Sequence, residues 1–234
     1  NRDKYIIDLN EKINSIFSEE LNSNRENEWI NLFREIGLNY YGNDTVYKTI
    51  QKAVQYSQSA SLKFKRSLVE TILILYPNDF QEFIDIIHSK TEDPTLFAYA
   101  AHYKLQQNDS FSVRENLSSA IMKKFPNWEN IPQLKFMNYY LTNKESKPPS
   151  LNELFKHSFM EGKTIIYSIH RKNRSYAGLT IIKKPDGTFV KGENDSIFYA
   201  NQLALSVSGL PGYLSQGNTP QGIFSIVGFY VSPT

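Results

Sequence analysis

Cysteine is absent from all 234 residues of the chain. This absence excludes disulfide bonds, thiolate metal ligands and a cysteine nucleophile from these residues. Four histidines are present, but no two of them stand four residues apart and no His-Glu-x-x-His pattern occurs, so the sequence does not favour a zinc site. We therefore expect neither a metal ion nor another cofactor.

The sequence also lacks a charge excess and a long hydrophobic run. The 26 basic residues nearly balance the 24 acidic ones, which leaves no broad positive surface for nucleic acid or an anionic membrane. The richest apolar run, residues 67–76, is short and is interrupted by Glu70 and Thr71, so no transmembrane segment is predicted. The first residues contain neither an apolar leader stretch nor an initiator Met, so we expect an export leader to be absent from this chain.

Glycine is nearly absent from the first 142 residues, where only Gly37 and Gly42 occur. In this region apolar residues recur every three or four positions, which is the spacing of one face of a helix. Residues 1–142 are therefore predicted to form an all-α domain.

A helix-breaking pattern occurs twice in this region. Tyr-Pro-Asn at residues 76–78 and Phe-Pro-Asn at residues 125–127 place the same aromatic-Pro-Asn sequence 49 residues apart. Such a period is typical of helical repeats of the HEAT type, so stacked helical hairpins are predicted. The alternative is an irregular all-α bundle.

Capping signals mark two helix starts within this region. Asp93 followed by Pro94 is an N-cap residue followed by a proline in the first turn. Ser112 with Glu115 matches the capping box. Both pairs are predicted to begin helices.

A polar run that contains Pro148 and Pro149 interrupts the helical pattern after residue 142. Two prolines cannot continue a helix, and Ser150 with Glu153 is then predicted to cap a short new one. We interpret residues 143–162 as a linker with a short helix.

The apolar period changes to two beyond Gly162, which is typical of strands. Strand-like runs occupy residues 163–170, 175–184, 187–191 and 202–209. Turn sequences at residues 185–187 and 192–195 separate them as hairpin connections do. Residues 163–234 are predicted to form a mostly β domain, so the fold class is α+β.

Residues 217–222 have the Gly-x-x-x-x-Gly spacing of a phosphate-binding loop, but Ile223 and Phe224 stand where lysine and serine or threonine are required. Nucleotide binding is therefore not predicted. By local physics the segment is a loop between strands, in which Pro220 fixes φ and Gly222 supplies a conformation that residues with a Cβ avoid.

The stretch around this loop, residues 207–226, resembles a segment of L,D-transpeptidase catalytic domains, the YkuD-like or ErfK-type cell-wall enzymes. In those domains a strand that ends in Ser-Gly leads through a loop to Thr-Pro-x-Gly-x-Phe. The matching residues are Ser208, Gly209, Thr219, Pro220, Gly222 and Phe224. The resemblance covers residues 163–234 and implies the front part of such a domain, incomplete at its C-terminus.

The resemblance implies the chemistry of a cysteine acyltransferase that acts on peptidoglycan stem peptides. In the family, a histidine and a Ser-His-Gly-Cys motif follow Thr-Pro-x-Gly-x-Phe, so no catalytic residue is expected within this chain. Residues 223–231 are apolar and suit a buried strand better than a solvated terminus. We therefore expect the natural protein to continue for on the order of 100 residues and to carry that motif.

Three polar or aromatic loop residues, Tyr213, Asn218 and Gln221, are candidates for contact with the stem peptide. The resemblance also implies an exported protein of the cell envelope, in the periplasm. Its helical domain is expected to present the catalytic sheet or to bind an envelope protein. The alternative is a non-catalytic envelope scaffold with a degenerate transpeptidase-like domain.

His170 is the one histidine next to a basic cluster, since Arg171, Lys172 and Arg174 follow it. A histidine in a charged turn is most often solvated. The sequence therefore predicts that His170 lies in an exposed hairpin tip and has no catalytic role.

Overall fold

The computed structural model describes residues 2–142, 150–156, 161–170, 176–202 and 225–228. Helices fill the first of these ranges: α1 Arg2–Ser18, α2 Glu26–Asn39, α3 Asp44–Tyr56, α4 Leu62–Leu75, α5 Gln81–Lys90, α6 Pro94–Gln107, α7 Phe111–Lys124 and α8 Pro132–Thr142. A short helix follows, α9 Leu151–Lys156, and then the strands β1 Ile165–Ile169, β2 Gly178–Lys183 and β3 Tyr199–Gln202. The α+β fold class is confirmed.

Short polar side chains cap the helix starts, and the sequence predicted one of the two starts correctly. The Asp93 carboxylate accepts a hydrogen bond of 2.9 Å from the Leu96 amide and caps α6, so that prediction is confirmed. The predicted start at Ser112 is wrong, because Ser110 caps α7 and accepts from the Val113 amide at 3.4 Å. Ser110 has the extended backbone of an N-cap, whereas Ser112 lies inside the first turn.

The two aromatic-Pro-Asn segments separate helices as predicted, but the prediction that they occupy the same place in two helix pairs is wrong, because α7 packs against α8 whereas α4 pairs with α3 and α5 with α6. The first lies between α4 and α5, and the second lies between α7 and α8. The even-numbered helices α2, α4, α6 and α8 pack against one another in series, and each of α3, α5 and α7 packs against the helix that follows it. Stacked helical hairpins have this contact pattern, while the HEAT-type repeat itself stays a prediction.

Two hydrophobic clusters share helix α6. The larger cluster joins α1 to α5 with one face of α6, and Tyr103 is the largest fully buried residue that α6 contributes to it. The smaller cluster joins the other face of α6 to α7 and α8 through Phe97 and Leu105. Because α6 is apolar on both faces, it is the only described helix that belongs to both clusters.

Aromatic side chains form the centre of the larger cluster. The Trp29 ring lies 4.7 Å from the Phe17 ring and 6.0 Å from the Phe33 ring, centroid to centroid. The Phe33 ring in turn lies 5.7 Å from that of Phe64. Trp29 and Phe33 meet edge to face, and the other two pairs are tilted, so the rings add to the free energy of area burial.

Glu26 is a buried carboxylate that joins α2 to the end of α3 and the start of α4. Its Oε1 accepts hydrogen bonds from the Tyr56 hydroxyl at 2.8 Å and from the Ser61 amide at 3.1 Å. Burial by itself raises the pKa of Glu26, but the hydrogen bonds from Ser61 and Tyr56 and the charge of Lys65 outweigh it, so the pKa lies below its ordinary value.

Replacing Glu26 with alanine is expected to lower the free energy of unfolding by about 1–3 kcal/mol, because the Ser61 amide and the Tyr56 hydroxyl lose their acceptor. Glu26 ionises more easily in the folded than in the unfolded state. Its contribution is therefore complete above the ordinary glutamate pKa of 4.5 and is lost as the pH falls through the lowered value. Urea titration at several pH values measures this change in the free energy of unfolding. Tyr56→Phe removes only one of the two hydrogen bonds, so a loss of free energy as large as that of Glu26→Ala would contradict the prediction.

The sheet is antiparallel in the order β1-β2-β3, and α9 packs on one of its faces. The Phe155 ring lies 5.0 Å from that of Tyr167 in β1, and the Lys183 ammonium donates to the Phe155 carbonyl at 2.8 Å. The predicted capping box of α9 is confirmed, since the Glu153 amide donates to Ser150 Oγ at 3.2 Å and the Ser150 amide donates to the Glu153 carboxylate at 2.8 Å. The domain boundaries at residues 142 and 162 stay predictions.

The connection from β2 to β3 differs from the predicted strands. The turn at residues 185–187 is confirmed, with Gly187 at a φ of 84°. Residues 187–191 form only isolated bridges rather than a strand, because a second turn with positive φ at Asn194 and Asp195 follows at once. The third strand of the sheet is Tyr199–Gln202, which pairs with β2 on the side away from β1. Residues 203–209 of the last predicted strand lie outside the described residues.

Across the described ranges, no helix combines the length and the apolar character that crossing a bilayer requires.

Candidate functional site

The residues that carry the family resemblance lie outside the described part of the chain. They fall within residues 203–224: Ser208, Gly209, Thr219, Pro220, Gly222 and Phe224 of the motif, and the substrate-contact candidates Tyr213, Asn218 and Gln221. Gln202, the last residue of β3, is the described residue that directly precedes this segment. The end of the sheet at Gln202 is therefore the described structure next to the motif in sequence.

Strand pairing brings three positions together at this end of the sheet. Gly178, the first residue of β2, pairs with Gln202 in β3, and its neighbour Leu179 pairs with Ile169, the last residue of β1. His170, which follows β1, therefore lies beside Gly178. Residues two apart on a strand share a face, so Ser168 and His170 point to the same side of the sheet.

Ser168, His170 and Gln202 form a hydrogen-bonded group that we call the sheet-end cluster. The distance between Ser168 Oγ and His170 Nε2 is 2.7 Å. The Gln202 side-chain amide donates to Ser168 Oγ and lies 3.4 Å from His170 Nε2. Ser168 Oγ thus accepts from Gln202 and forms a second hydrogen bond with His170 Nε2, whose direction is set by the tautomer of the ring.

The His170 imidazole is partly buried, which corrects the prediction of a solvated residue. Its Nδ1 is buried and has no hydrogen-bond partner among the described residues. Burial lowers the pKa of His170, so the ring is neutral at pH 7. The prediction failed because the ring packs over Gly178, which has no side chain to displace it; the basic residues 171–174 lie outside the described ranges.

Gly178 is required by the close approach of β1. A Cβ added at this position would lie 2.4 Å from the Ile169 carbonyl oxygen and 3.0 Å from His170 Nδ1. The first of these distances is far inside van der Waals contact. The sheet-end cluster therefore depends on a glycine at position 178.

The sheet-end cluster offers hydrogen bonds but not a complete catalytic triad. A serine hydroxyl within hydrogen-bond distance of a neutral imidazole is the first half of a nucleophile and base pair. The second half, a group that orients the imidazole through Nδ1, is missing among the described residues. The Ser-x-His spacing, which places both side chains on one face of a strand, was visible in the sequence. The participation of Gln202 in the cluster depends on cross-strand pairing, and no local sequence pattern predicts it.

The other candidate sites in the described ranges offer fewer groups that could bind a ligand or take part in a reaction. A groove of about 490 Å³ lies between the end of α1 and α3, lined among others by Glu19, Glu20, Trp29, Lys52 and Tyr56. It contains none of the residues predicted from the sequence. Within the same ranges, no three side chains of His, Cys, Asp or Glu are grouped so that they could hold a metal ion.

Comparison of the chain with protein-family models, with curated proteins and with solved structures finds no match.

Proposed function

We propose that the chain belongs to a cell-envelope L,D-transpeptidase-like protein that acts on peptidoglycan stem peptides through a cysteine acyl-enzyme. The observation that carries this proposal is the order of the motif residues, with Ser208-Gly209 followed by Thr219-Pro220-x-Gly222-x-Phe224. The chain has no cysteine, so the activity requires a nucleophile that follows residue 234.

The sheet supports the proposal through its position in the sequence. In the resembling domains, strands lead into the Ser-Gly position, and here β1, β2 and β3 form an antiparallel sheet directly before it. Gln202 ends β3 and bonds to Ser168 of β1. The chain therefore enters the motif segment from a hydrogen-bonded strand end rather than from a free loop.

The proposed reaction is acyl transfer through a thioester. The cysteine thiolate attacks the carbonyl carbon of the third stem-peptide residue, and the amide bond to the terminal D-amino acid breaks. The leaving amine takes a proton from the histidine that had accepted the thiol proton. An amine or water then attacks the thioester and releases the cysteine.

Within this chain, Tyr213, Asn218 and Gln221 are the residues proposed to contact the stem peptide. Their side chains offer hydrogen bonds and an aromatic surface to a peptide backbone. The helical part is proposed to present the sheet or to bind a second protein in the periplasm.

The proposal is tested with the protein translated from its whole reading frame and a stem tetrapeptide. Intact-mass spectrometry is expected to show a covalent adduct of the tripeptide, and replacing the downstream cysteine with alanine is expected to abolish it. Gln221→Ala is expected to slow adduct formation about tenfold, the effect of losing one substrate hydrogen bond. Gln51→Ala, an exposed change on α3, is the matched control and should leave the rate unchanged.

A reading frame without a cysteine after residue 234, or a folded protein that forms no adduct, would contradict the enzyme proposal. That outcome would favour a non-catalytic envelope scaffold instead. The scaffold is supported by the exposed aromatic side chains of α8, where Phe136 is 48% exposed, Tyr139 64% and Tyr140 41%. Exposed aromatic residues on one helix are typical of surfaces that bind another protein.

A further inference from the structure

His88 lies where the two hydrophobic clusters of the helical part meet. It is in the last turn of α5, a helix whose Phe83 and Ile84 belong to the larger cluster. Its ring packs on Phe97 of the smaller cluster, with ring centroids 4.5 Å apart and an interplanar angle of 30°. The imidazole is therefore part of the contact that joins α5 to the second cluster.

Charged groups from three helices and one loop surround this contact. On α5, Asp85 forms an ion pair with Lys104 of α6. On α7, the Lys124 ammonium donates to the Ser89 carbonyl at 2.8 Å and lies 3.8 Å from the carboxylate of Glu92, in the loop after α5. Lys124 thus connects the end of α7 to the end of α5 beside His88.

The environment of His88 disfavours its charged form. Its Nε2 is buried without a hydrogen-bond partner in the part of the chain that the structure describes. Burial and then the positive charges of Lys104 and Lys124 lower the pKa of His88 from its ordinary 6.5 to about 4, while Asp85 acts in the opposite direction. The ring is therefore neutral at pH 7 in the closed structure.

We propose that His88 is an acid-sensitive contact that holds the end of α5 against α6 and the neighbouring end of α7 only while its imidazole is neutral. A proton on the ring adds a third positive charge beside Lys104 and Lys124 and buries it against Phe97. Separation of the end of α5 from Phe97 and Lys124 returns the imidazolium to water and relieves this cost. The inference is independent of the proposed function, because all of its residues lie in the helical part.

The direction of the pH effect follows from which state binds the proton. Above the ordinary pKa of 6.5, His88 is neutral in both the closed and the open state, so pH has no effect. Between that value and about 4, the open state is protonated and the closed state is not. The opening equilibrium is therefore expected to rise about 30-fold between about pH 7.5 and about pH 5.

Hydrogen exchange with mass spectrometry tests the proposal, with rates corrected for the intrinsic pH dependence of exchange. Protection of the end of α5 and of the facing end of α7 is expected to fall about 30-fold over this pH range in the natural sequence. Protection of α2 is expected to stay unchanged. His88→Phe keeps the ring contact without a titrating group, and His88→Gln keeps polarity without one, so both should lose the pH response.

Several results would overturn the proposal. One is the same pH response in both His88 variants. Another is an equal loss of protection in α2 and the end of α5, which would indicate global unfolding. An NMR titration that places the pKa of His88 above 6 in the folded protein would also overturn it.

Discussion

Replacing Trp29 with alanine is expected to lower the free energy of unfolding by about 3–5 kcal/mol, because it removes the largest fully buried side chain of the helical core. Trp29 is 1% exposed and packs between the rings of Phe17 and Phe33. Urea unfolding followed by far-UV circular dichroism measures the loss.

Trp29→Phe is the matched control for this prediction. It keeps an aromatic ring and removes the indole N–H, which is buried with no partner among the described residues. We expect a cost below about 1.5 kcal/mol, since the loss of volume is partly offset by removal of an unsatisfied donor. A loss below about 1 kcal/mol for Trp29→Ala would contradict a packed centre around this residue.

Replacing Gly178 with alanine is expected to destabilise the sheet by about 2–3 kcal/mol, because the new Cβ overlaps backbone atoms of β1. The overlapped Ile169 oxygen belongs to the main chain, so relief requires β1 to shift against β2. The sheet-end cluster should be lost as well. Amide hydrogen exchange of β1 and β2 and the NMR signal of the His170 ring measure the two effects.

Gly187 provides the control that separates close approach from backbone conformation. Its φ is positive and nothing lies within 4 Å of a Cβ added there. Gly187→Ala is expected to cost about 1 kcal/mol and Gly187→Asn less, because asparagine tolerates a positive φ. If Gly178→Asn were also well tolerated, the steric argument for position 178 would be wrong.

The helical part shows how far local patterns predict structure. The spacing of apolar residues and the scarcity of glycine predicted the helices of residues 1–142, and the prolines at 77 and 126 marked the breaks after α4 and α7. The helix start at α7 was misplaced by two residues, since Ser110 and Ser112 both fit a cap and only the backbone decides between them.

The contacts of the sheet-end cluster could not be predicted from the sequence. His170 was expected in solvent, and its hydrogen bond to Ser168 and the part of Gln202 were not predicted. These contacts depend on the pairing of Gly178 with Gln202, two residues 24 positions apart. A hydrophobic period identifies a strand, but it does not select the partner residue on the next strand.

The sequence by itself determined the α+β composition, the capping residues Asp93 and Ser150 and the turn at residues 185–187. These features depend on hydrogen bonds and steric limits between residues at most four positions apart, so they do not require the rest of the fold. Only the tertiary structure decided that α6 belongs to two clusters, that His88 lies between cations from α6 and α7, and that His170 packs over Gly178. These contacts join residues that are distant in the chain, and the free energy of their burial depends on neighbours that only the folded state brings together.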